Sequence, residues 1–298
     1  MDKQRLQKGH LLALFTIFIW GTASVSSKVL LNSFSPVELF FYRIIIAYIA
    51  LLLISPHFIK FKNWREELHF IAAGLTGVTL YFLFQNIALL YTYASNVGVL
   101  TSISPLFTAI LAYFFLKEEE LNIKFFIGFA ISIVGIILIG YNGNYVLKLS
   151  PLGDIFAILS AIVWALYCVI MKKVCTYNYN SIQYTRKIIF YGILFLIPVL
   201  VYTNFHFSLT KFYSISNLVN ILYLGLGASA ATYVTWNYAL SILGAVKTSA
   251  YLYISPIITI AVAAIVLMER LTFLSILGVL LILVGIYFSE GKIKGRAR

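Results

Sequence analysis

Residues 86–118 read NIALLYTYASNVGVLTSISPLFTAILAYFFLKE, and residues 237–269 read NYALSILGAVKTSAYLYISPIITIAVAAIVLME. At a constant offset of 151 they share Asn86/Asn237, Ala88/Ala239, Leu89/Leu240, Ala94/Ala245, Ile103/Ile254, Ser104/Ser255, Pro105/Pro256, Thr108/Thr259, Ala112/Ala263, Leu116/Leu267 and Glu118/Glu269. Identity at this density without a gap marks a duplicated unit. In each copy a proline, Pro105 or Pro256, sits inside an apolar run of helix length. There it removes a backbone donor and leaves the carbonyl four residues earlier, Thr101 or Leu252, without its helical partner. An unpaired buried carbonyl costs about 1–3 kcal/mol. Broken helices at corresponding places in two halves mark the substrate site of a membrane carrier.

Composition agrees. The chain is 61% hydrophobic and 11% charged, and its mean hydropathy is +0.95. A soluble globule of 298 residues cannot bury that much apolar surface, so lipid is the expected surrounding. The net charge of +12 lies in the joins between apolar runs, where it orients helices. A nucleic-acid partner is therefore not implied. Cys168 and Cys175 form neither a disulfide framework nor a zinc spacing.

A hydrocarbon core of ~30 Å needs about 20 helical residues. Ten runs meet that length: 10–31, 36–55, 68–90, 94–116, 123–141, 152–171, 181–202, 218–240, 245–267 and 273–289. The first follows Lys3, Arg5 and Lys8 but is too long for a signal peptide's apolar region of ~7–15 residues, so it reads as a retained span. Alternation at period two is absent, and backbone groups in lipid must be paired within the chain, so the runs are helices. The expected fold is all-α and polytopic, with ten transmembrane helices.

With the N-terminus inside, the inner joins and tails hold 15 of the 22 basic residues, whereas the outer joins hold only Lys148, Lys211 and Arg270. That asymmetry places both termini in the cytoplasm. The duplication extends to Trp20/Trp164 and Lys28/Lys172 at offset 144, Arg43/Arg186 at offset 143, and Gly128/Gly278 and Gly135/Gly285 at offset 150. Residues 9–141 and 152–290 are thus two five-helix repeats, flanked by basic tails at 1–8 and 291–298. Five is odd, so the second repeat enters the bilayer inverted.

Candidate pathway residues follow from spacing and depth. Gly98, Ser102, Pro105 and Thr108 recur on one helix face, and Ser249, Tyr253, Pro256 and Thr259 occupy the same places in the second copy. Two such stripes line a wet cavity or let helices pack closely. Thr101 joins them through its unpaired carbonyl. Trp20 and Trp164 lie near mid-depth, away from an interfacial belt, and serve either core packing or substrate contact. Tyr81, Gln85, Tyr233 and Trp236 lie at similar depth, and their polar tips need partners. Arg43 and Arg186 sit ~10 Å inside their spans; they either snorkel or bind a substrate carboxylate or phosphate. Lys28 and Lys172, at span ends, read as snorkelling. The tight back of the bundle is expected at the glycines of runs five and ten.

Other chemistry is missing. No acidic residue falls near mid-membrane, the four histidines form no ligand cluster, and no phosphate-binding GxxxxGK[ST] loop exists. Neither a metal, a cofactor nor an ATP-driven pump is implied, no catalytic residues are assigned, and the coupling ion is not indicated. Glu118, Glu119 and Glu120 are the one acidic cluster a membrane enzyme acting on a lipid-linked substrate would use, and a charged helix end explains them as well.

Two five-helix halves, Trp20-Gly21, Asn86-x-Ala88-Leu89, the central Ser-Pro pairs and Glu118/Glu269 together resemble the EamA-type permeases of the drug/metabolite transporter superfamily. The resemblance covers nearly the whole chain. It implies alternating access and a cavity lined mainly by spans 1, 3, 4, 6, 8 and 9, with spans 5 and 10 behind. It also implies a small-molecule substrate and membrane lipid as partners. Exporters of amino acids and carriers of sugar-type or drug-like solutes both occur among such proteins. Mid-depth aromatics and two deep arginines favour amino acids here, and Glu118 and Glu269 look like anchors between the halves.

Overall fold

The computed structural model of the protein describes residues 3–92, 94–116, 123–140, 150–203, 205, 207, 210–266 and 273–289. Glu118, Glu269, Lys117, Lys148, Arg270 and the tail 291–298 lie outside the described residues. Every regular element described is helical. The chain runs through α1 (Lys3–Leu30), α2 (Pro36–Ile54), α3 (Trp64–Gly74), α4 (Tyr81–Tyr91), α5 (Ala94–Thr101), α6 (Ser104–Leu116) and α7 (Ile123–Gly140). It continues through α8 (Pro151–Val174), α9 (Ser181–Tyr202), α10 (Ile215–Leu222), α11 (Thr232–Leu243), α12 (Ala245–Ala250), α13 (Ser255–Val266) and α14 (Phe273–Ser289). Since α1 starts at Lys3, most of the expected N-terminal tail is helix.

Local signals set several boundaries. Ser35 and Glu38 form a reciprocal capping box at the start of α2, with Pro36 in the first turn, where its missing N–H costs nothing. Asn63, Ser150 and Asn180 cap α3, α8 and α9 through their side-chain oxygens. Pro105 and Pro256 are each the second residue of a helix, so the expected breaks fall just upstream. The chain turns at Ser102-Ile103 between α5 and α6, and it tightens to 3₁₀ over Tyr251–Ile254 before α13. One expectation needs correction: the Leu252 carbonyl is not orphaned, because the tightened turn brings it the Ser255 N–H.

Among the described residues, seven stretches are long and apolar enough to cross a membrane: Lys3–Leu30, Pro36–Ile54, Trp64–Tyr91, Pro151–Tyr177, Ser181–Tyr202, Ile215–Leu243 and Ala245–Val266. The remaining runs give shorter apolar helices, Ser104–Leu116, Ile123–Gly135 and Ile276–Gly285. The run at 94–116 fails as one helix because of its turn. Their outward surface is apolar, with Leu53 78%, Ile265 74% and Val201 73% exposed. So much exposed hydrocarbon fits a lipid surrounding.

Two π-helical stretches, Leu75–Leu80 ahead of α4 and Tyr223–Ala231 ahead of α11, fall at matching places in the two copies. Packing between the copies is reciprocal. Helix α1 lies on α11 as α8 lies on α4, α2 lies on Tyr223–Ala231 as α9 lies on Leu75–Leu80, and α7 pairs with α14. At that last pair a Cβ built on Gly135 would lie 2.5 Å from the Gly278 carbonyl oxygen, and one on Gly285 2.5 Å from that of Gly128. Only hydrogen in place of a side chain lets these backbones touch.

Candidate functional site

A cavity lies between the copies. Helix α1 lines it with Trp20, Ser24 and Ser27, whose spacings of four and three residues place them on one face. Helix α2 adds Arg43, α4 adds Tyr81, Phe82 and Gln85, and α8 adds Ala161 and Trp164. The break after α5 exposes Gly98, Thr101 and Ser102 to it, and the tightened turn before α13 exposes Leu252 and Ser255. The volume open to the centres of water molecules is about 40 Å³. At ~10–15 Å³ for one water, that is room for about three.

Aromatic rings form one wall and the floor. Trp20 and Trp164 meet edge to face at 5.1 Å, Tyr81 lies 4.7 Å from Trp164, and Trp236 lies 5.0 Å from Trp20. Trp20 donates its indole N–H to Thr232 Oγ1 at 2.9 Å, and Gln85 donates to the Tyr81 hydroxyl at 3.0 Å. The Trp164 indole N–H is buried without an acceptor among the described residues.

Arg43 supplies the charge. It is 2% exposed, its Nε donates to Ser229 Oγ at 3.0 Å, and its guanidinium carbon stands 4.0 Å from the Phe82 ring centroid. Snorkelling is thereby overturned for this residue: Arg43 turns inward, held by the Phe82 face and the Ser229 hydroxyl. None of the described carboxylates lines the cavity. Glu38 pairs with Lys211 at 2.7 Å, Glu66 with Lys62 at 3.4 Å and Glu67 with Lys187 at 2.8 Å, and Asp154 is absent from its walls. The cavity thus holds one fixed cation whose terminal nitrogens take no protein acceptor among the described residues.

Toward the Lys3 end of α1 the halves are sealed. The Tyr233 hydroxyl donates across the halves to the Gly77 carbonyl at 2.5 Å, while within the second half Tyr167 donates to Asn237 Oδ1 at 2.7 Å and Asn237 donates to Thr185 Oγ1 at 3.0 Å. Thr16 bonds Thr235 at 2.6 Å, and His10 bonds Tyr251 at 2.5 Å. The repeat-equivalent Asn86 donates to the Pro36 carbonyl, but its Oδ1 has no partner among the described residues.

Of the residues singled out from sequence, Trp20, Arg43, Tyr81, Gln85, Thr101, Ser102 and Trp164 come together here. Tyr233 and Trp236 lie buried in the core around it. Thr108 and Ser249 donate instead to carbonyls of their own helices, Ser104 and Val246, and Thr259 donates across to the Gly21 carbonyl of α1, which ties α13 to α1. Pro105, Pro256 and Tyr253 are buried but outside the lining. Arg186 is remote, its guanidinium donating to the carbonyls of Ser55 and His57. Lys28 does not snorkel: it donates to the Leu89 and Thr92 carbonyls at the end of α4. Ser24, Ser27 and Phe82 were missed, though 20, 24 and 27 share the spacing of one helix face. Ser102→Leu puts a branched side chain into a space of a few waters and is expected to cut solute flux more than tenfold at unchanged melting temperature. Thr108→Val, on the packed side of the break, is the control, and equal flux in both variants would remove Ser102 from the pathway.

Comparison with known proteins agrees with this geometry. The sequence model of the EamA-like transporter family matches twice, at residues 7–141 and 151–290. An uncharacterized transporter of Archaeoglobus fulgidus is 29% identical, covering 96% of this chain and 98% of its own. A probable terminal-alkyne amino-acid exporter of Streptantibioticus cattleyicolor is 25% identical, covering 99% and 97%. One crystal structure, 18% identical, superposes with a TM-score of 0.73 over 95% of this chain and 98% of its own, which extends the likeness to the fold. A duplicated all-helical chain with a central polar break in each copy, matched end to end by that family, is a membrane-embedded transporter and belongs to the EamA-like transporter family.

Proposed function

We propose that the protein is a secondary active permease of the cytoplasmic membrane that exports amino acids or related metabolites by alternating access. Its ten apolar runs cross the bilayer as two inverted five-helix repeats, 9–141 and 152–290, with both termini cytoplasmic. The observation that carries the substrate class is Arg43, a buried cation with open donors in a cavity whose other walls are aromatic rings, hydroxyls, an amide and small or aliphatic residues. A carboxylate would take the donors and a side chain would lie on the rings of Trp20, Trp164 and Tyr81. The relative named as an amino-acid exporter supports this class.

Alternating access is supported by the bonds that close one end between the halves, Tyr233 to Gly77, Thr16 to Thr235 and His10 to Tyr251, which have to break for that end to open. Space for about three waters is too little for an amino acid, so uptake requires the halves to move apart. The same rings favour a second reading, a sugar-type or drug-like solute stacked on them without a carboxylate. Flux from liposomes holding the purified protein separates the two: amino acids should compete with one another, and neutral sugars competing equally well would sink the first reading.

Orientation is testable by itself. In a Cys175→Ser background, Lys62→Cys should be shielded from an impermeant thiol reagent added to intact cells, and Tyr213→Cys, 83% exposed at the opposite end, should label. The reverse pattern would invert the assignment.

A further inference from the structure

A second cleft of about 240 Å³, sharing no lining residue with the central cavity, opens where α2 ends and α3 and α9 begin. Its charged walls are Arg186, Lys187 and Glu67, and its apolar walls include Phe58, Phe61 and Phe190. Arg186 is 2% exposed; Nη1 donates to the Ser55 carbonyl, Nη2 to the His57 carbonyl at 2.6 Å, and the guanidinium carbon lies 4.3 Å from the Phe58 ring centroid. A guanidinium has five N–H donors and an ammonium three. Arg186 therefore keeps donors to spare, as does Lys187, which among the described residues donates to Glu67 Oε2 at 2.8 Å and stands 4.7 Å from the Phe70 ring centroid. The other Glu67 oxygen accepts from the Tyr191 hydroxyl. Glu67 thus has a partner at each oxygen, and the cleft's two cations against one carboxylate leave it net positive, which suits an anion.

The surroundings say which anion. The last turn of α2 exposes Leu53 and Ile54, and the extended segment 55–63 that follows exposes Phe58 and Phe61 together with Lys60 and Lys62. Apolar helix surface giving way to alternating aromatic and basic residues marks the level where hydrocarbon meets headgroups. Basic pockets between spanning helices at that level take lipid headgroups. The geometry points to a site for one anionic phospholipid, its phosphate on Arg186 and Lys187 and its acyl chains along Phe190 and Leu53. The site is independent of the central cavity and of what that cavity carries.

Native mass spectrometry of the purified full chain tests it, with dioleoylphosphatidylglycerol, dioleoylphosphatidylcholine and inorganic phosphate as probes. Phosphatidylglycerol is expected to be retained at least tenfold more tightly than phosphatidylcholine and not to be displaced by millimolar inorganic phosphate. Lys187→Gln should weaken it about fivefold, the share of one basic residue near a lipid surface, and Lys173→Gln, exposed and outside the cleft, should leave it unchanged. Equal retention of the two lipids, displacement by phosphate, or wild-type binding in Lys187→Gln would each overturn the site. If Lys187→Gln does not fold, the lipid comparison on the unaltered chain decides alone.

Discussion

Gly285→Leu is expected to lower the melting temperature of the purified protein by about 6–12 °C, from an overpacking cost of ~3 kcal/mol and ~2–4 °C for each kcal/mol in a chain of this size. The cause is contact between backbones. A Cβ at position 285 would lie 2.1 Å from Ser132 Oγ, 2.5 Å from the Gly128 carbonyl oxygen and 2.8 Å from the Ser132 nitrogen. A serine rotamer can yield, but a helical carbonyl cannot without parting α7 from α14. Gly135→Leu meets the same obstacle from the other helix, 2.5 Å from the Gly278 carbonyl. Gly227→Ala is the control, since a Cβ there stands an ordinary 3.5 Å from the Tyr223 ring. If Gly285→Leu melts with the wild type while flux is lost, the α7–α14 pair belongs to the pathway rather than to the back of the bundle.

Arg43→Gln should separate binding from stability. Charge-assisted hydrogen bonds contribute about 1.5–3 kcal/mol, so losing the cation should weaken binding of a carboxylate solute roughly 10- to 150-fold. The melting temperature should hold or rise, because a buried cation without a counter-charge costs several kcal/mol of desolvation that a neutral amide avoids. Binding by the purified protein and its thermal melt read the two effects apart. Wild-type affinity for amino acids in Arg43→Gln would remove the carboxylate from the proposal, and affinity for neutral solutes should not change.

Much of this architecture was legible because duplication repeats its own signals. Two Ser-Pro pairs at one offset located both breaks, and the glycines of runs five and ten named the contact between α7 and α14. The cavity was legible only where one helix supplied the pattern. Arg43 and Arg186 look alike in sequence, at similar depth in equivalent spans, yet one turns to Phe82 and Ser229 while the other is claimed by the carbonyls of Ser55 and His57. That choice depends on how the segment after α2 folds back, which no local pattern encodes. Likewise Ser102 faces the cavity and Thr108 does not, because the turn at Ser102-Ile103 shifts the helical phase between them. The π-helical stretches left no trace either, since Leu75–Leu80 and Tyr223–Ala231 read as ordinary helix. Of the three runs outside the seven long stretches, 94–116 is divided at its turn, and those at 123–141 and 273–289 give shorter apolar helices.

The α7–α14 contact also sets an order of events during synthesis. Its two halves, Gly135 and Gly285, are 150 residues apart in the chain. At about 5–20 residues per second, α7 waits on the order of 10 s for its partner to leave the ribosome. Through that interval its glycine face has only lipid or a transient neighbour to meet, so this is where a second chain, or an assisting factor in the membrane, has time to intervene.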